Sequence, residues 1–454
     1  MALSGLEIYK LTPKKNCREC GVATCMAFAM ALANGKASAD ACPYLSPEAK
    51  AALGAAAEPP IRLVTIGKDQ GKVEVGDEHV LFRHEKTFYH PTAIGITVAD
   101  TLSSEEIRER VGRINELWFD RVGLCLSVNL VAVTDRGGDF AQAVRIAAEA
   151  SSFPLVLVTR DPAKAAAALA AAGDRRPLLH GATAATLDAF LELAKEKGCP
   201  LTVGGALEEL PELTERAAAG GFKDLVLAPA VGSTGEMLRT LTQIRRQALK
   251  KKFRPLGYPV LTEVTGDDPQ DLAARASVAV AKYASVLLLD TVDPAVLLPL
   301  LTNRQDLYTD PQKPIQVEAK LWEVGTPDQD SPVYVTTNFS LTYFSVLTEI
   351  EASRIPSYLV TVDTDGTSVL TAWAAGKFGA EEIAQILEKT GAAEKVRHHK
   401  VIIPGYVAVL SGKLNQLSGW EVLVGPREAT GIPNFARSRW RGEEVEAGAG
   451  SVSA

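Results

Sequence analysis

Four of the six cysteines in the chain fall within its first 42 residues, at Cys17, Cys20, Cys25 and Cys42. Their spacing is Cys-x2-Cys-x4-Cys-x16-Cys, and Pro43 follows the last of them. Deprotonated sulfurs this close together need a cation between them, and four cysteines at short local spacings with a proline after the last are typical of an iron–sulfur cluster. A structural zinc also accepts four thiolates, although zinc ribbons usually carry two CxxC pairs. The spacing favours a cluster, with zinc as the alternative.

The overall composition excludes several classes of protein. The chain has 454 residues, enough for about three domains, and a net charge of −7 with no Lys/Arg-rich stripe, which argues against a nucleic-acid partner. The N-terminus lacks the apolar core of a signal peptide, and Asp290, Asp293 and Pro294 interrupt the most apolar stretch, so no membrane segment is expected. Cys125 and Cys199 are interpreted as ordinary thiols. So few other cysteines suit a reducing cytoplasm, where we expect the protein to lie.

The cysteine segment is expected to end near Leu53. The following stretch, Ala49 to Pro60, is rich in alanine and closes with two prolines, which cannot continue a helix. We interpret it as a linker or hinge, so that residues 1–58 form a cluster domain with its tether.

From Ile61 to about Arg304, short apolar runs alternate with amphipathic helical segments, one of which has Ser103 or Ser104 as its N-cap. The eight runs are Ala93–Val98, Ser127–Val133, Pro154–Thr159, Pro177–Gly181, Pro200–Gly205, Asp224–Pro229, Pro259–Val264 and Ser285–Asp290. Eight strand–helix units in a single stretch predict a (β/α)8 TIM barrel over residues 59–320, with an open doubly wound sheet as the second choice.

Several of the predicted barrel strands end in polar residues or glycine. They are Asp100, Asp135, Arg160, His180, Gly204, Glu263 and Asp290. In a barrel these residues lie at the C-terminal mouth, where ligands bind, but strand-to-helix loops are polar in most proteins. We therefore do not expect a full catalytic site there.

A Pro-rich break, Tyr308–Pro332, precedes the last block. Four further strands alternate with helices, one of them ended by Gly391. The strand segments are Val333–Ser340, Pro356–Gly366, Lys400–Gly405 and Trp420–Pro426. This pattern predicts a small Rossmann-like α/β domain with parallel strands over residues 321–445, and a disordered tail over 446–454. Its turns are rich in Thr, Ser, Asn and Gly, which suit hydrogen bonding to a large polar ligand.

The segment KLTPKKNCRECGVATCMAFAMALANGKASADACPYL, the barrel-like middle, and the C-terminal stretches VYVTTNFSLTYF, DTDGTSVLTAW, IPGYVAVLSG and VLVGPREATGIP together resemble one family. It is the family of corrinoid iron–sulfur protein large (gamma) subunits, which serve the acetyl-CoA (Wood–Ljungdahl) pathway of anaerobes. The resemblance extends over essentially the whole chain. The cysteine segment alone is less specific, because related cluster domains occur in other electron-transfer proteins.

The resemblance implies a 4Fe–4S cluster held by Cys17, Cys20, Cys25 and Cys42, and a cobamide bound by the C-terminal domain. In the family, Co(I) takes a methyl group from methyltetrahydrofolate through a separate methyltransferase and delivers it to acetyl-CoA synthase. The cluster returns accidentally formed Co(II) to Co(I). The implied partners are a small corrinoid iron–sulfur subunit in a heterodimer, the methyltransferase, and acetyl-CoA synthase/CO dehydrogenase. Because the cobalt is the nucleophile, no catalytic side chain is expected.

Many cobalamin proteins supply a histidine to the lower face of cobalt from an Asp-x-His-x-x-Gly stretch, which this sequence lacks. The adjacent His398 and His399 lie among basic residues before a strand and are interpreted as a solvated turn. A σ-donating nitrogen stabilises the higher oxidation states of cobalt, so its omission makes Co(I) easier to reach. We therefore expect a cobamide without a protein axial ligand.

For the cobamide contacts we predict the turns that follow the strands of the last block. Backbone N–H groups at the start of a helix suit a phosphate or amide oxygen, hydroxyls and an apolar surface suit the corrin, and glycine permits a close approach. The predicted residues are Thr336, Asn338, Ser340, Thr342, Thr367, Ser368, Leu370, Thr371, Ala372, Trp373, Gly405, and Arg427 to Gly431.

Two other functions remain open. The first is an electron-transfer iron–sulfur subunit without a corrinoid, in which the barrel and the α/β domain are docking modules; it predicts iron and sulfide but no cobalt. The second is a TIM-barrel methyltransferase that binds the pterin itself, with a purely structural cysteine segment; it predicts tight binding of methyltetrahydrofolate.

Overall fold

The computed structural model of the chain describes residues 5–33, 37–50, 53, 59–85, 87–310 and 314–441. The chain divides into two compact units, one made of Met1–Phe119 with Leu126–Tyr308 and the other of Asp120–Cys125 with Thr309–Ala454. Within the described ranges, no helix combines the length and the apolar character that crossing a membrane requires.

The cysteine segment has a small hydrophobic core of its own. Its helices are Gly5–Leu11 and Cys25–Ala33, followed by a 3-10 turn at Ala39–Ala41. The buried residues of this core include Ile8, Phe28 and Leu53. Most of the predicted linker, residues 51–52 and 54–58, and the predicted tail, residues 446–454, lie outside the described residues.

The first unit contains twelve named strands among the described residues. They are β1 Val64–Ile66, β2 Val73–Val75, β3 Ala93–Ala99, β4 Trp118–Arg121, β5 Leu124–Ser127, β6 Leu130–Thr134, β7 Leu155–Val158, β8 Leu178–Ala182, β9 Leu201–Gly205, β10 Leu225–Pro229, β11 Leu261–Val264 and β12 Val286–Leu289, with the tip of the β4–β5 hairpin assigned to the second unit. Two antiparallel hairpins, β1–β2 and β4–β5, were not predicted from the sequence.

The other eight strands form a parallel barrel in the order β10-β9-β8-β7-β6-β3-β12-β11. A parallel bridge between Leu227 and Val260 joins the two ends of this sheet. Each of the eight apolar runs overlaps one of these strands, so the predicted (β/α)8 barrel is confirmed. The β1–β2 hairpin packs its buried valines and isoleucine against residues at the N-terminal ends of the barrel strands, including Leu130 and Val286. The hairpin thereby covers this end of the barrel, opposite the mouth.

Helices surround the barrel strands in the order that alternation predicts. They are Ser104–Asn115, Phe140–Ala150, Pro162–Ala172, Leu187–Lys197, Leu210–Ala219, Thr234–Leu249, Pro269–Ala281 and Pro294–Tyr308. Ser103 is the N-cap of the first, because its hydroxyl accepts the Glu106 N–H while the Glu106 carboxylate accepts the Ser103 N–H. This reciprocal pair satisfies two backbone donors that the helix leaves free.

The second unit has a five-stranded sheet. Its strands are β13 Leu321–Val324, β14 Val333–Thr337, β15 Ser357–Val362, β16 Lys400–Ile403 and β17 Glu421–Val424, in the order β13-β15-β14-β16-β17. The strands β14 to β17 are parallel, whereas β13 runs antiparallel to β15. We predicted only parallel strands and interpreted the segment containing β13 as a break. The chain adds strands to opposite sides of β14, so a topological switch point lies between β14 and β16.

Helices cover both faces of this sheet. They are Ser340–Ser353, Val369–Ala374, Ala380–Lys389, Ala392–Lys395, Ser411–Ser418 and Ile432–Phe435, with a 3-10 segment at Gly405–Leu410. One hydrophobic core includes Phe378 and Leu414, and a second, on the other face, includes Tyr343 and Ile432. Gly391 has the positive φ of +64° that ends the predicted helix before it.

Candidate functional site

The four N-terminal cysteines are free thiols, and Cys20 and Cys42 take part in the small core of this segment. Cys25 is the first residue of the helix Cys25–Ala33, and Cys42 directly follows the turn Ala39–Ala41. Both are buried, whereas Cys17 and Cys20 are half-buried in the loop between the helices. A helix N-terminus lowers the free energy of a thiolate, because its N–H groups carry partial positive charge.

Contacts between these segments bring the cysteines together. The N–H of Asn16, next to Cys17, donates to the sulfur of Cys25 at 3.4 Å, and Cys20 packs against the core that contains Cys42. Tyr44 lies near both Cys17 and Cys42. Its pKa is raised mainly by its hydrogen bond to Glu19, with smaller contributions from burial and from Cys17 and Cys42. These contacts link the segments that carry the four cysteines.

The backbone around Cys17 and Cys20 has an unusual conformation. Lys14, Asn16, Arg18 and Gly21 all have positive φ, between 50° and 82°. Alternation of left-handed residues with ordinary ones turns successive N–H groups towards the same side and creates a concave anion-binding nest, an arrangement found at many iron–sulfur sites. Left-handed non-glycine residues are strained and persist where the surrounding structure requires them. The loop therefore fits an anionic group held between these cysteines.

The described side chains do not form a ready-made site for a single metal ion. Among the described residues, no three Cys, His, Asp or Glu side chains lie close enough together to hold one metal ion. A zinc ion requires its four sulfurs at one point, about 2.3 Å from the metal. A cluster distributes its thiolates over several iron atoms and needs no such convergence. The choice between the two metals therefore rests on the cysteine spacing, which favours a cluster.

The second unit contains a cavity of about 370 Å³ at the carboxyl ends of β14 and β16. This is the switch point of the sheet, where open α/β sheets bind their ligands. Thr336 of β14, Ile403 of β16 and the loop after β17 form its walls, and the surface of these walls is mainly apolar. Leu341, Leu370 and Tyr406 line the cavity and remain more than 40% exposed, so its opening is a hydrophobic surface.

Buried hydroxyls at this end of β14 have no hydrogen-bond partner among the described residues. They belong to Tyr334, Thr336 and Thr337, whose side chains are at most 4% exposed. Tyr334 and Thr336 line the cavity, and burial raises the pKa of the Tyr334 phenol. Leaving a buried hydroxyl without a partner costs about 1–3 kcal/mol. The cavity therefore fits a large, mostly apolar ligand that also carries polar groups, as a corrinoid does.

The predicted contact residues fall into two groups. Those that line the cavity are Thr336, Thr342, Ser368, Leu370, Arg427, Glu428 and Ala429. Those that lie outside its walls are Asn338, Ser340, Thr367, Thr371, Ala372, Trp373, Gly405 and Gly431. Within the second group, Ala372 is fully buried in a hydrophobic core, while Trp373 is 42% exposed.

Asn338 holds the turns beside the cavity. Its amide nitrogen donates to Gln316 and Asp363, both at 3.1 Å, and its amide oxygen accepts two hydrogen bonds from Thr364 and one from Gly366. The side chain is 2% exposed and its hydrogen-bonding groups are all engaged within the protein. Asn338 therefore shapes the turn after β15.

Gly405 permits a close approach between two chain segments. A Cβ atom there would lie 2.7 Å from the carbonyl oxygen of Gly425 and 2.9 Å from the nitrogen of Arg427. Its N–H donates to the carbonyl of Pro426 at 2.9 Å. The small residue thus joins the loops after β16 and β17, which form one wall of the cavity.

Sequence reasoning missed most of the apolar lining. The missed residues are Tyr334, Val335, Leu341, Ser345, Val346, Val369, Ile402, Ile403, Pro404, Tyr406, Gly425, Pro426 and Ile432. Strand residues such as Ile402 look like ordinary core residues in the sequence. The available signal was topological, because a strand order for this sheet would have marked the ends of β14 and β16 as the ligand crevice.

The barrel mouth contains polar residues that bind mainly to one another. His180 Nδ1 lies 2.8 Å from the hydroxyl of Thr202, and its Nε2 lies 2.5 Å from a carboxylate oxygen of Glu263. The hydrogen bond from His180 lowers the pKa of Glu263, with smaller contributions from Arg136 and Arg160. Asp135 accepts hydrogen bonds from Thr159 and Lys164.

The carboxylates of two other predicted mouth residues, Asp100 and Asp290, are only partly hydrogen-bonded. Asp100 accepts the Arg136 N–H at 2.7 Å and Asp290 accepts the Gly266 N–H at 3.4 Å, and the second carboxylate oxygen of each has no partner among the described residues. These contacts hold loops at the mouth and include no nucleophile with an adjacent base, so we assign no reaction to this end of the barrel.

His398 and His399 lie beside the start of β16, whereas the cavity lies at its end. Nε2 of His398 donates to the carbonyl of Ser331 at 3.0 Å, and its Nδ1 accepts the Lys400 N–H at 2.9 Å. Both ring nitrogens are thereby engaged. Neither histidine lines the cavity.

Comparisons with known proteins match nearly the whole chain. Residues 63–436 match the family model described as CO dehydrogenase/acetyl-CoA synthase delta subunit, and residues 13–44 match one described as "Putative Fe-S cluster". The corrinoid/iron-sulfur protein large subunit of Moorella thermoacetica is 54% identical over 96% of this chain and 99% of its own. The acetyl-CoA decarbonylase/synthase complex subunits gamma of Methanothermobacter thermautotrophicus and Methanopyrus kandleri are 37% and 38% identical, over 96% and 95% of this chain and 98% and 97% of theirs.

Proposed function

We propose that this chain, which belongs to the family of corrinoid/iron–sulfur protein large subunits, is a methyl-group carrier of the acetyl-CoA pathway. Its N-terminal segment holds a 4Fe–4S cluster through Cys17, Cys20, Cys25 and Cys42, and its C-terminal unit holds a cobamide. The observation that carries the proposal is the cavity at the switch point between β14 and β16, where buried hydroxyls lack partners.

When they are bound, the corrinoid cobalt supplies the atom that accepts and releases a methyl group, and the cluster supplies single electrons that restore the cobalt. The chain's own residues bind and orient these groups. Thr336 and Tyr334 offer hydroxyls from the sheet, and Ser368 and Arg427 offer polar groups from the surrounding loops. The apolar walls at Ile402 exclude water from the bound ring.

The cobamide in this proposal has no protein histidine on its lower face. His398 and His399 are the histidines nearest to the cavity in sequence, and both lie beside the opposite end of β16. The two nitrogens of His398 are already engaged by backbone groups. This placement supports the expectation that omission of the ligand keeps the lower oxidation state of cobalt accessible.

The proposed role as a methyl carrier implies that the chain binds partner proteins. The archaeal relatives are named as subunits of an acetyl-CoA decarbonylase/synthase complex. We propose that this chain pairs with a small corrinoid iron–sulfur subunit and meets a methyltetrahydrofolate:corrinoid methyltransferase and acetyl-CoA synthase/CO dehydrogenase in turn. The exposed apolar residues Leu341, Leu370 and Tyr406 at the cavity opening suit a partner that covers the bound corrinoid.

The experiment is a metal analysis of protein that is produced without oxygen in a host supplied with cobamide. We expect iron and sulfide for one 4Fe–4S cluster, one cobalt per chain, and corrin bands in the visible spectrum. Iron without cobalt would replace the proposal with the electron-transfer subunit, and zinc in place of iron would overturn the cluster. Tight binding of methyltetrahydrofolate by the cobalt-free chain would favour the pterin methyltransferase.

A further inference from the structure

Asn16 and Cys25 are joined by two hydrogen bonds in opposite directions. The backbone N–H of Asn16 donates to the Cys25 sulfur at 3.4 Å, and the backbone N–H of Cys25 donates to Oδ1 of the Asn16 side chain at 2.8 Å. We call this pair the Asn16–Cys25 clasp. It connects the loop before Cys17 to the first residue of the helix Cys25–Ala33.

The backbone of Asn16 explains why asparagine suits this position. Its φ is +50°, in the left-handed region that asparagine tolerates better than most residues. In this conformation its N–H points to the sulfur while its short side chain reaches the N–H of Cys25. A residue without a side-chain acceptor leaves that N–H, one of the free donors at the start of the helix, without its partner.

The two bonds have different consequences. The bond to Oδ1 fixes where the loop lies relative to the helix. The bond to the sulfur acts on the electronic properties of whatever metal group Cys25 binds, because hydrogen bonds to ligand sulfurs are among the factors that set the reduction potential of a cluster. An N–H donor stabilises the more negative, reduced state more than the oxidised state, so it raises the potential.

We propose that Asn16 is a positioning residue that holds its own amide against the Cys25 sulfur and thereby raises the reduction potential of the cluster. The inference rests on the proposed function, because it requires Cys25 to be a ligand. The redox step is the gain of one electron by the cluster, supplied in the test by a low-potential chemical reductant. Asn16 takes no part in electron transfer itself.

The test compares the full-length protein with Asn16→Gly and Asn16→Asp. Glycine keeps the left-handed backbone and removes the side-chain acceptor, whereas aspartate keeps both. Thr24→Ala is the matched control, because the Thr24 hydroxyl accepts the Ala27 N–H and caps the same helix without contacting a sulfur. The measurements are iron content, the midpoint potential from an EPR-monitored titration, and the Fe–S stretching bands in resonance Raman spectra.

We expect Asn16→Gly to lower the midpoint potential and to shift an Fe–S(Cys) band to higher frequency. Glycine retains the backbone N–H, but without the side chain that N–H is no longer held against the Cys25 sulfur and the hydrogen bond is lost. Thr24→Ala should change neither. If Asn16→Gly binds too little iron to titrate, full iron in Asn16→Asp supports the clasp, and loss of iron in both contradicts it. An iron-loaded Asn16→Gly with the unmodified potential and spectrum overturns the inference. Absence of a cluster from the unmodified protein would instead overturn the proposed function.

Discussion

Nε2 of His180 and Oε1 of Glu263 lie 2.5 Å apart inside the barrel and connect β8 to β11, which are three strands apart when counted through the bridge that closes the barrel. The carboxylate of Glu263 is about half exposed, with 46% of its side chain accessible. The imidazole is far more buried, at 10%. This pair links opposite walls of the barrel above the layer that the β1–β2 hairpin covers.

The pair should make the stability of the barrel depend on pH in the acid range. Folding lowers the pKa of Glu263 below its usual value of 4.5, chiefly through the hydrogen bond from His180. Its contribution is therefore present above pH of about 4.5 and is lost as the pH falls through the lower folded pKa. Because solvent screens a half-exposed carboxylate, we expect about 0.5–1 kcal/mol.

The measurement is the free energy of unfolding of Glu263→Gln between pH 3 and 7. The variant should be less stable than the unmodified protein at pH 7 and should match it more closely at pH 3. Glu208→Gln, which alters an exposed residue before the helix Leu210–Ala219, is the control and should leave the difference unchanged. An equal loss at both pH values would assign the effect to packing and not to the charge.

Thr336 and Thr337 allow the cavity to be tested with adjacent residues. Both hydroxyls are buried without a partner among the described residues, but only Thr336 lines the cavity. Thr336→Val should weaken cobamide retention about two- to tenfold, because one net hydrogen bond contributes about 0.5–1.5 kcal/mol. Thr337→Val should leave retention unchanged. Equilibrium dialysis of the reconstituted protein measures this, and an equal effect of both variants would contradict a ligand contact at Thr336.

Asn338→Ala should destabilise the second unit by about 2–4 kcal/mol, because it leaves several buried donors in the turn after β15 without an acceptor. Thr367→Val removes a single hydrogen bond, to the carbonyl of Thr364, and should cost about 1 kcal/mol. Denaturant unfolding of the cofactor-free protein compares the two. Similar losses from both variants would show that Asn338 does not organise the turn.

Cys20→Ala should impair the function of the cluster and leave that of the cobamide largely intact. Removal of one proposed ligand should lower the iron content and abolish reactivation of an oxidised corrinoid by added reductant, while methyl transfer to protein reduced beforehand is largely retained. Cys125→Ala changes an exposed thiol outside the N-terminal segment and should affect neither. The rates of reactivation and of methyl transfer are measured separately. An equal loss of both rates would contradict the division of labour between cluster and cobamide.

The barrel could be predicted because buried parallel strands appear in a sequence as continuous apolar runs. All five residues of β6 are buried, as are all four of β12; β12 lies within a predicted run, and β6 extends one residue beyond one. The hairpin strand β4 could not be found in this way, because its residues are exposed or half-buried. The edge strand β13 was missed because only Val324 of its four residues is buried, and because it lies between Pro-rich segments that indicate loops.

The cysteine spacing predicted an iron–sulfur segment, in agreement with the family match over residues 13–44, whereas the cavity could be predicted only in part. Hydroxyl residues after strands are visible in the sequence, and Thr336, Thr342 and Ser368 do line the cavity. Thr336 is available to a ligand and Asn338 is not, because the hydrogen-bonding groups of Asn338 are already engaged within the protein. The sequence alone does not show this difference. The clasp likewise joins residues nine positions apart through a left-handed backbone that no local pattern indicates.

The strand β13 determines where the chain can be cut for biochemical work. It pairs along its whole length with β15, and the residues before it contact the turn after β14 through the bridge between Gln316 and Phe339. A recombinant fragment that starts at Val333 would leave the hydrogen-bonding edge of β15 bare, and exposed edges promote association between sheets. It would also remove Gln316, a hydrogen-bond partner of Asn338. A soluble C-terminal fragment should therefore begin upstream of Ile315, well before the first parallel strand.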